Sequence, residues 1–275
     1  MNTPSKSVAN QDLIIAARQG LIPVREHRRL GGFGNMFRKE LGQWWGTRTW
    51  RVQIIIWVLI LNGISTIVAL TESLPPIELL QEVVQTFLPV SIGAIGMGTV
   101  ITIQGAIVSE KQLGTAAWVM SKPASRAAFV LAKTLAYAIG YWVTAIIIPT
   151  LIFVSVTLRF VPTPLALSPF MAGVALVALN QLFYLSLTLV LGTFFNSRGP
   201  IAGIGITFIM VGLMLKGFIP FPILIVTPWA LPDVASGLAL GMPLPSVWPI
   251  PILATAIWIV VMIALALWRF EREEF

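Results

Sequence analysis

Long stretches without a charged residue alternate with short basic segments along this chain. Five of these stretches are about as long as, or longer than, the roughly 20 residues that a membrane-spanning helix needs. They cover residues 52–71, 83–109, 134–158, 160–197 and 234–268, and a slightly shorter one covers 199–215. Backbone N–H and C=O groups in hydrocarbon must bond to one another, so each stretch is predicted to be helical.

The pattern therefore predicts an all-α, polytopic membrane protein with six transmembrane helices. The predicted spans are 52–69, 86–108, 127–156, 170–194, 200–218 and 247–268. The third is long enough to tilt or to kink at Pro149. We divide the chain into an N-terminal region, 1–51, a transmembrane domain, 52–268, and a tail, 269–275.

The composition supports this class of protein, and the distribution of charge indicates how the chain is oriented in the membrane. Hydrophobic residues make up 57% of the chain and charged residues 11%, whereas soluble domains carry about a quarter charged residues. Nine of the 18 Lys and Arg residues precede the first span, and most others fall in the even-numbered connections or after the last span. The positive-inside rule then predicts cytoplasmic N- and C-termini. The expected location is a bacterial or archaeal plasma membrane. The net charge of +7 reflects this asymmetry and is no sign of nucleic-acid binding.

An amphipathic helix is predicted at about 33–47, just before the first span. Its apolar face consists of Phe33, Phe37, Leu41, Trp44 and Trp45, and the opposite face carries Arg38, Lys39, Glu40 and Gln43. This pattern is typical of a helix that lies in the headgroup region, with indoles at the interface. The helix is either a simple membrane anchor or an anchor that also contacts a cytoplasmic partner.

The outer segment between the last two spans, 219–246, contains six prolines yet remains strongly apolar. An aqueous loop would be more polar. Short broken helices that dip back into the outer leaflet fit better, provided that protein covers their free backbone groups.

The predicted spans contain very few groups that do chemistry. No Asp, Glu or His lies inside them, the chain has no Cys, and no phosphate-binding loop motif occurs. We therefore expect no catalytic site, no metal and no bound cofactor in this chain. Lys133 and Lys216, near span ends, are expected to extend to the inner and outer surfaces. Gly93, Gly96 and Gly98 are expected to let helices approach closely.

A few polar residues do lie within the spans. Their two readings are hydrogen bonding between helices and the lining of a substrate path, and the sequence leaves both open. They include Thr99, Thr102, Gln104, Asn180 and Gln181.

The connection after the second span, 109–126, is the most informative segment. It starts with Glu110 and Lys111, continues through Gly114-Thr115 into an apolar turn, and ends with Pro and Ser-Arg. A simple connector has no need for an apolar turn framed by charges. Such a turn suits insertion into a groove of a cytoplasmic partner.

These residues also carry a resemblance to a known family. Glu110-Lys-Gln-Leu-Gly-Thr115, Lys122-Pro-Ala-Ser-Arg126 and Ala132-Lys133 resemble the pattern in permease subunits of ABC-2-type ATP-binding cassette transporters. Arg38-Lys39-Glu40-Leu41 in the amphipathic helix, the six spans and the apolar outer segment extend the resemblance over essentially the whole chain.

The resemblance implies a type V exporter-like fold whose coupling loop, 109–126, docks on a separate cytoplasmic ATPase subunit. Two ATPase copies, which bind the ATP and Mg²⁺, would associate with two permease chains that are identical or different. In this view Glu110, Lys111 and Arg126 position the coupling helix, and Leu113, Ala117 and Trp118 fill the groove of the ATPase. Gly114, Thr115 and Pro123 complete the docking loop, and the amphipathic helix also contacts the ATPase.

The expected function is the permease subunit of an ATP-driven exporter. The alternative is a non-transporting membrane scaffold or assembly factor that holds a cytoplasmic partner. An intramembrane enzyme is disfavoured because the spans lack paired catalytic groups. The uncharged spans favour a neutral or hydrophobic substrate.

Overall fold

The computed structural model describes residues 30–115, 118 and 124–273. Six helical spans in it are long and apolar enough to cross a membrane: Thr49–Thr71 (span 1), Pro76–Gln112 (span 2), Arg126–Phe160 (span 3), Leu167–Phe194 (span 4), Arg198–Phe218 (span 5) and Pro249–Glu271 (span 6). The described residues contain no strand. The prediction of an all-α, multi-pass membrane protein is confirmed.

The helical segments have the following bounds: Phe33–Gly46, Thr49–Trp57, Val58–Asn62 (π), Gly63–Thr71, Pro76–Ile103, Val108–Gln112, Arg126–Tyr141, Trp142–Ile147 (π), Ile148–Phe160, Leu167–Phe194, Arg198–Leu215, Lys216–Phe218 (3₁₀), Phe221–Leu224, Pro228–Ala230 (3₁₀), Leu231–Leu240 and Pro249–Glu271. Thr115 and Trp118 are also helical.

Span 3 is irregular at the predicted point. A π-helical turn, Trp142–Ile147, ends two residues before Pro149. Proline has no N–H and its ring clashes with the carbonyl four residues earlier, and a widened turn relieves that clash. The Asn62 side-chain amide, which ends the π-helical turn of span 1, donates to the Pro149 carbonyl at 3.2 Å. The two irregular turns therefore meet.

Span 2 begins at Pro76, well before the predicted start at Thr86. Pro75 and Pro76 suit a helix start because the first helical positions need no N–H donor. Glu78 and Glu82 then lie in the first turns, where the helix dipole favours negative charge, instead of in a loop. At its other end the span is interrupted at 104–107 and resumes as Val108–Gln112.

Spans 2 and 4 form the centre of the bundle, and spans 1 and 5 flank it. In span 4, 67% of the most apolar stretch is buried, against 22% in spans 1 and 5. Gly96 and Gly98 permit close packing around span 2, as predicted, whereas a Cβ at Gly93 would make only an ordinary contact of 3.6 Å with Leu213. A Cβ at Gly96 would lie 2.7 Å from the Tyr184 ring of span 4, and one at Gly98 would overlap the Trp57 ring of span 1.

The predicted amphipathic helix is present as Phe33–Gly46, and it packs along the first half of span 3. The Trp44 ring lies 6.0 Å from the Tyr137 ring and 5.4 Å from the Tyr141 ring. It also covers Gly140, where a Cβ would come within 2.6 Å of the indole. Trp44 is only 6% exposed, so this indole is buried in protein and not placed at the membrane surface as expected.

The outer segment contains the predicted short helices. The longest, Leu231–Leu240, packs against spans 2 and 4, buries Leu231 and Ala235 completely, and ends at Gly241 with φ +63°. Protein therefore covers much of its backbone. Lys216 at the end of span 5 forms an ion pair of 2.5 Å with Asp233 on this helix.

Several charged segments meet at the opposite end of the bundle, which we call the basic end. They are the amphipathic helix, the residues that follow span 2, the turn before span 5 and the last turn of span 6. The amphipathic helix and the end of span 6 thus share one end, as an even number of spans requires.

Candidate functional site

The coupling loop predicted from the sequence lies at the basic end, where it contacts the amphipathic helix, span 3 and span 6. Of the polar residues singled out in it, Glu110, Lys111 and Arg126 bond to other elements, and Thr115 bonds within the loop. Leu113 and Trp118, two apolar residues of the loop, are exposed.

Four charged side chains form a compact cluster between the loop, the amphipathic helix and span 3, which we call the charge cluster. Lys133 Nζ lies 2.8 Å from Glu110 Oε1 and 2.9 Å from Glu40 Oε1. Lys39 Nζ lies 2.8 Å from the same Glu110 oxygen and 3.1 Å from Glu40 Oε1. Two carboxylates and two ammonium groups alternate, so the cluster is electrically neutral.

The charge cluster is buried on one side and open on the other. Only 2% of the Lys133 side chain and 3% of the Glu40 side chain is exposed, against 52% for Lys39. Partial burial disfavours the charged form of Lys39, but the Glu110 and Glu40 carboxylates outweigh it and raise the pKa of Lys39. The two innermost side chains, Lys133 and Glu40, are paired with opposite charges, which compensates for their removal from water.

Lys111 connects the loop to the last span. Its Nζ lies 2.8 Å from Glu273 Oε1 and donates to the Thr193 carbonyl at the end of span 4 at 2.9 Å. Glu273 also pairs with Arg269 of span 6 at 2.9 Å. The side chain after Glu110 therefore points to a different part of the bundle and fixes the loop from a second direction.

The Ser125-Arg126 pair has a structural role at the start of span 3. Ser125 accepts a hydrogen bond from the Ala128 N–H at 3.0 Å and so caps the helix. Arg126 Nη1 donates to the carbonyls of Phe270, Glu271 and Glu273 at 3.3, 2.5 and 2.8 Å. A cation at the C-terminal end of a helix satisfies free carbonyls and favours the helix dipole.

The Gly114-Thr115 dipeptide determines the backbone conformation at the tip of the loop. The helix Val108–Gln112 stops at Gly114, whose φ of +69° suits glycine, and Thr115 Oγ1 donates to the Glu110 carbonyl at 3.2 Å. Leu113 is 76% exposed and Trp118 is 62% exposed. Ala117 and Pro123, which the sequence also assigns to the docking surface, lie outside the described residues.

The amphipathic helix differs in one respect from its predicted pattern. Phe33, Phe37, Leu41 and Trp45 are partly exposed, and Arg38 and Lys39 are exposed, as an interfacial helix requires. Glu40, expected on the polar face, lies on the buried face instead. Lys133, expected to reach the surface, is instead buried beside Glu40. Each of the two side chains can be buried because the other compensates its charge.

The polar residues within the spans mostly bond to backbone. Thr99 donates to the Ile95 carbonyl, Gln104 to the Ile101 carbonyl, and Asn180 to the Ile92 carbonyl of the neighbouring span. Thr102 accepts from Gln53 of span 1 at 3.3 Å. Gln181 is fully buried, and neither amide atom has a hydrogen-bond partner among the described residues.

Sequence reasoning missed the partners that complete this site. Glu273 and Arg198, which donates to Ser109 Oγ at 2.8 Å, were not singled out. A signal for the Glu40–Lys133 pair does exist in the sequence. Glu40 stands three residues after Phe37 and four before Trp44, on their helix face, and Lys133 is an isolated charge next to an apolar span.

The fold defines a multi-pass helical membrane protein with its clustered charges at one end. Residues 79–275 match the family DUF2705, described as a protein of unknown function, and the chain belongs to this family. The match covers all but the first three residues of span 2, the loop and spans 3–6. A search of curated proteins found no match.

Proposed function

We propose that this chain is the permease subunit of an ATP-driven, ABC-2-type exporter. One observation carries the proposal: Glu110, Lys111 and Arg126 attach the loop after span 2 to other elements, and two of its described apolar residues face outward. Leu113 and Trp118 are the exposed apolar side chains in question. Apolar anchors held on a rigid support are what a partner's groove binds best.

The charges of the chain support an external energy source. The ion pairs of the described residues lie at the two ends of the bundle and not at its middle. Ion-driven transporters use charged groups at membrane depth, whereas here the free energy would come from a separate cytoplasmic ATPase that binds ATP and Mg²⁺. The neutral interior also favours a neutral or hydrophobic substrate.

The contacts of the loop suggest how ATPase movement would reach the membrane. Glu110 ties the loop to the amphipathic helix and to span 3, and Lys111 ties it to span 6. A displacement of the loop tip would therefore move these elements together. In a pair of permease chains above two ATPases, that movement would alternate access between the two sides of the membrane.

Replacement of the exposed anchors tests the docking surface. Leu113→Ser and Trp118→Ser should reduce co-purification of an ABC ATPase with the full chain from native membranes, as measured by mass spectrometry and MgATP hydrolysis. Phe218→Ser is the matched control, since Phe218 is 86% exposed at the opposite end. Full ATPase recovery with both loop variants, or no ATPase with the unaltered chain, contradicts the proposal.

Transport itself separates an exporter from a scaffold. Vesicles that contain the chain and its co-purified ATPase should move a neutral or hydrophobic substrate when MgATP is added, and Trp118→Ser should abolish the movement. If the ATPase binds but MgATP drives no movement of any compound tested, the scaffold interpretation replaces that of an exporter.

A further inference from the structure

A polar cavity of about 250 Å³ opens at the basic end, beside the charge cluster and away from the loop tip. Elements that are distant in sequence meet around it: the amphipathic helix, the interrupted end of span 2, span 3 and the start of span 5. Hydrogen-bonding side chains dominate its lining, among them Gln43, Thr102, Gln104, Ser109, Tyr137 and Arg198.

The cavity carries one positive charge that no described residue balances. Lys133 and Glu110 also line it, but they belong to the neutral charge cluster. Arg198 donates to Ser109 Oγ at 2.8 Å and has no carboxylate within ion-pair distance among the described residues. A guanidinium group carries five N–H donors, so most of them remain available to a ligand.

The position of the cavity points to the membrane surface as the source of that ligand. It lies where span 2 ends, spans 3 and 5 begin and the amphipathic helix runs, and the ends of membrane spans reach the headgroup region of a bilayer. Ile101 and Thr102, on its rim, are exposed on the outward surface of span 2, with 49% of Ile101 accessible. A headgroup in the cavity would thus leave its acyl chains on an apolar surface.

We propose that this cavity binds the phosphate group of an anionic phospholipid, with Arg198 as the principal ligand. The planar guanidinium matches two phosphate oxygens, and the Gln43 and Gln104 amides supply further donors. The volume is below the roughly 300–1,000 Å³ of pockets that enclose drug-sized molecules. It therefore accommodates a headgroup and not a whole lipid.

Gly105 leaves room for the Arg198 side chain beside the cavity. A Cβ at this position would lie 3.0 Å from both Arg198 Nε and Ser109 Oγ. A larger residue would displace the Arg198 side chain by a few tenths of an ångström or more, and would disturb its bond to Ser109. Gly105→Ala therefore tests the geometry of the site without a change of charge.

Native mass spectrometry of the purified full chain tests the proposal without an ATPase, so its outcome is independent of the exporter proposal. The protein is offered equal amounts of phosphatidylglycerol and phosphatidylcholine with identical acyl chains. The unaltered chain should retain phosphatidylglycerol preferentially. Arg198→Gln should lower that preference about tenfold, since hydrogen bonds to charged groups have this strength. Arg198→Lys, which keeps the charge but loses the planar fork, and Gly105→Ala should give intermediate values.

Arg159→Gln is the matched control, because Arg159 lies at the other end of span 3 and packs on Phe160. It should bind lipid like the unaltered chain. An equal loss in both glutamine variants, or no loss with Arg198→Gln, overturns the proposal. Displacement of the lipid by inorganic phosphate alone would instead assign the cavity to a soluble phosphate and overturn the lipid assignment.

Discussion

Lys133 of span 3 and Glu40 of the amphipathic helix form an ion pair of 2.9 Å, with no more than 3% of either side chain exposed. They are 93 residues apart in the chain. A lysine near the end of a span ordinarily extends to water, and a glutamate on an interfacial helix ordinarily faces it. Here each charge compensates the other, and the pair attaches the amphipathic helix to the bundle.

Replacement of Lys133 by Met should destabilise the protein strongly. It leaves the carboxylates of Glu40 and Glu110 next to each other with only Lys39 as a cation, and loss of one partner of a buried pair costs about 3–5 kcal/mol. Thermal unfolding in detergent should show the loss. Adding Glu40→Gln should recover part of it, because one uncompensated charge is removed.

The ion pair at the opposite end is the control for this prediction. In the Lys216–Asp233 pair, 29% and 69% of the side chains are exposed. Lys216→Met should therefore cost only about 0–1 kcal/mol. Equal losses for the two lysine variants would show that burial of the charge cluster does not govern its contribution.

Gly140→Ala should loosen the amphipathic helix. The added methyl group would meet the Trp44 indole at 2.6 Å, so the indole must give up its place against span 3 or the helix must shift. Gly42→Ala, on the amphipathic helix itself, meets no atom within 4 Å and should stabilise the helix by about 0.5–1 kcal/mol. Limited proteolysis of the region before span 1 measures both effects. Faster cleavage with Gly42→Ala than with Gly140→Ala would refute this account.

Arg126→Gln should weaken the attachment of the span 6 end to span 3. The guanidinium donates to three carbonyls there, and an amide cannot reach all three. A hydrogen bond from a charged donor contributes about 1.5–3 kcal/mol. Hydrogen exchange of residues 269–273 should accelerate, while Arg38→Gln, at an exposed position, should leave it unchanged. Unchanged exchange with Arg126→Gln would show that the carbonyl contacts contribute little.

Gln181→Met distinguishes packing from a path for substrate. A buried amide without a partner costs free energy, so the change should be neutral or stabilising in thermal unfolding. Asn180→Leu removes the bond to the Ile92 carbonyl and should cost about 0.6 kcal/mol, the average for such bonds in membranes. If Gln181→Met preserves stability but blocks transport, the side chain lines the path.

The six spans could be predicted because the insertion of a segment into a membrane depends on its composition. Every residue in hydrocarbon contributes its own transfer free energy, and the backbone must bond within each segment, so a linear pattern is sufficient. The amphipathic helix and the short outer helices could be predicted for the same reason. Span ends are harder to predict from composition. Span 2 starts early, at Pro76, because the prolines suit a helix start and the helix dipole favours the two glutamates that follow.

The sequence by itself thus determined the class of protein, the number of spans and the segments that carry polar residues. Only the tertiary structure decided that Glu110, Lys111 and Arg126 bond inward while Leu113 and Trp118 stay exposed, and that Arg198 stands beside a polar cavity. The physical reason is that the free energy that a charge contributes depends on the dielectric and the other charges around it. Those surroundings are assembled from residues far apart in the chain, such as Lys39 with Glu110 or Lys111 with Glu273, whose proximity no local pattern specifies.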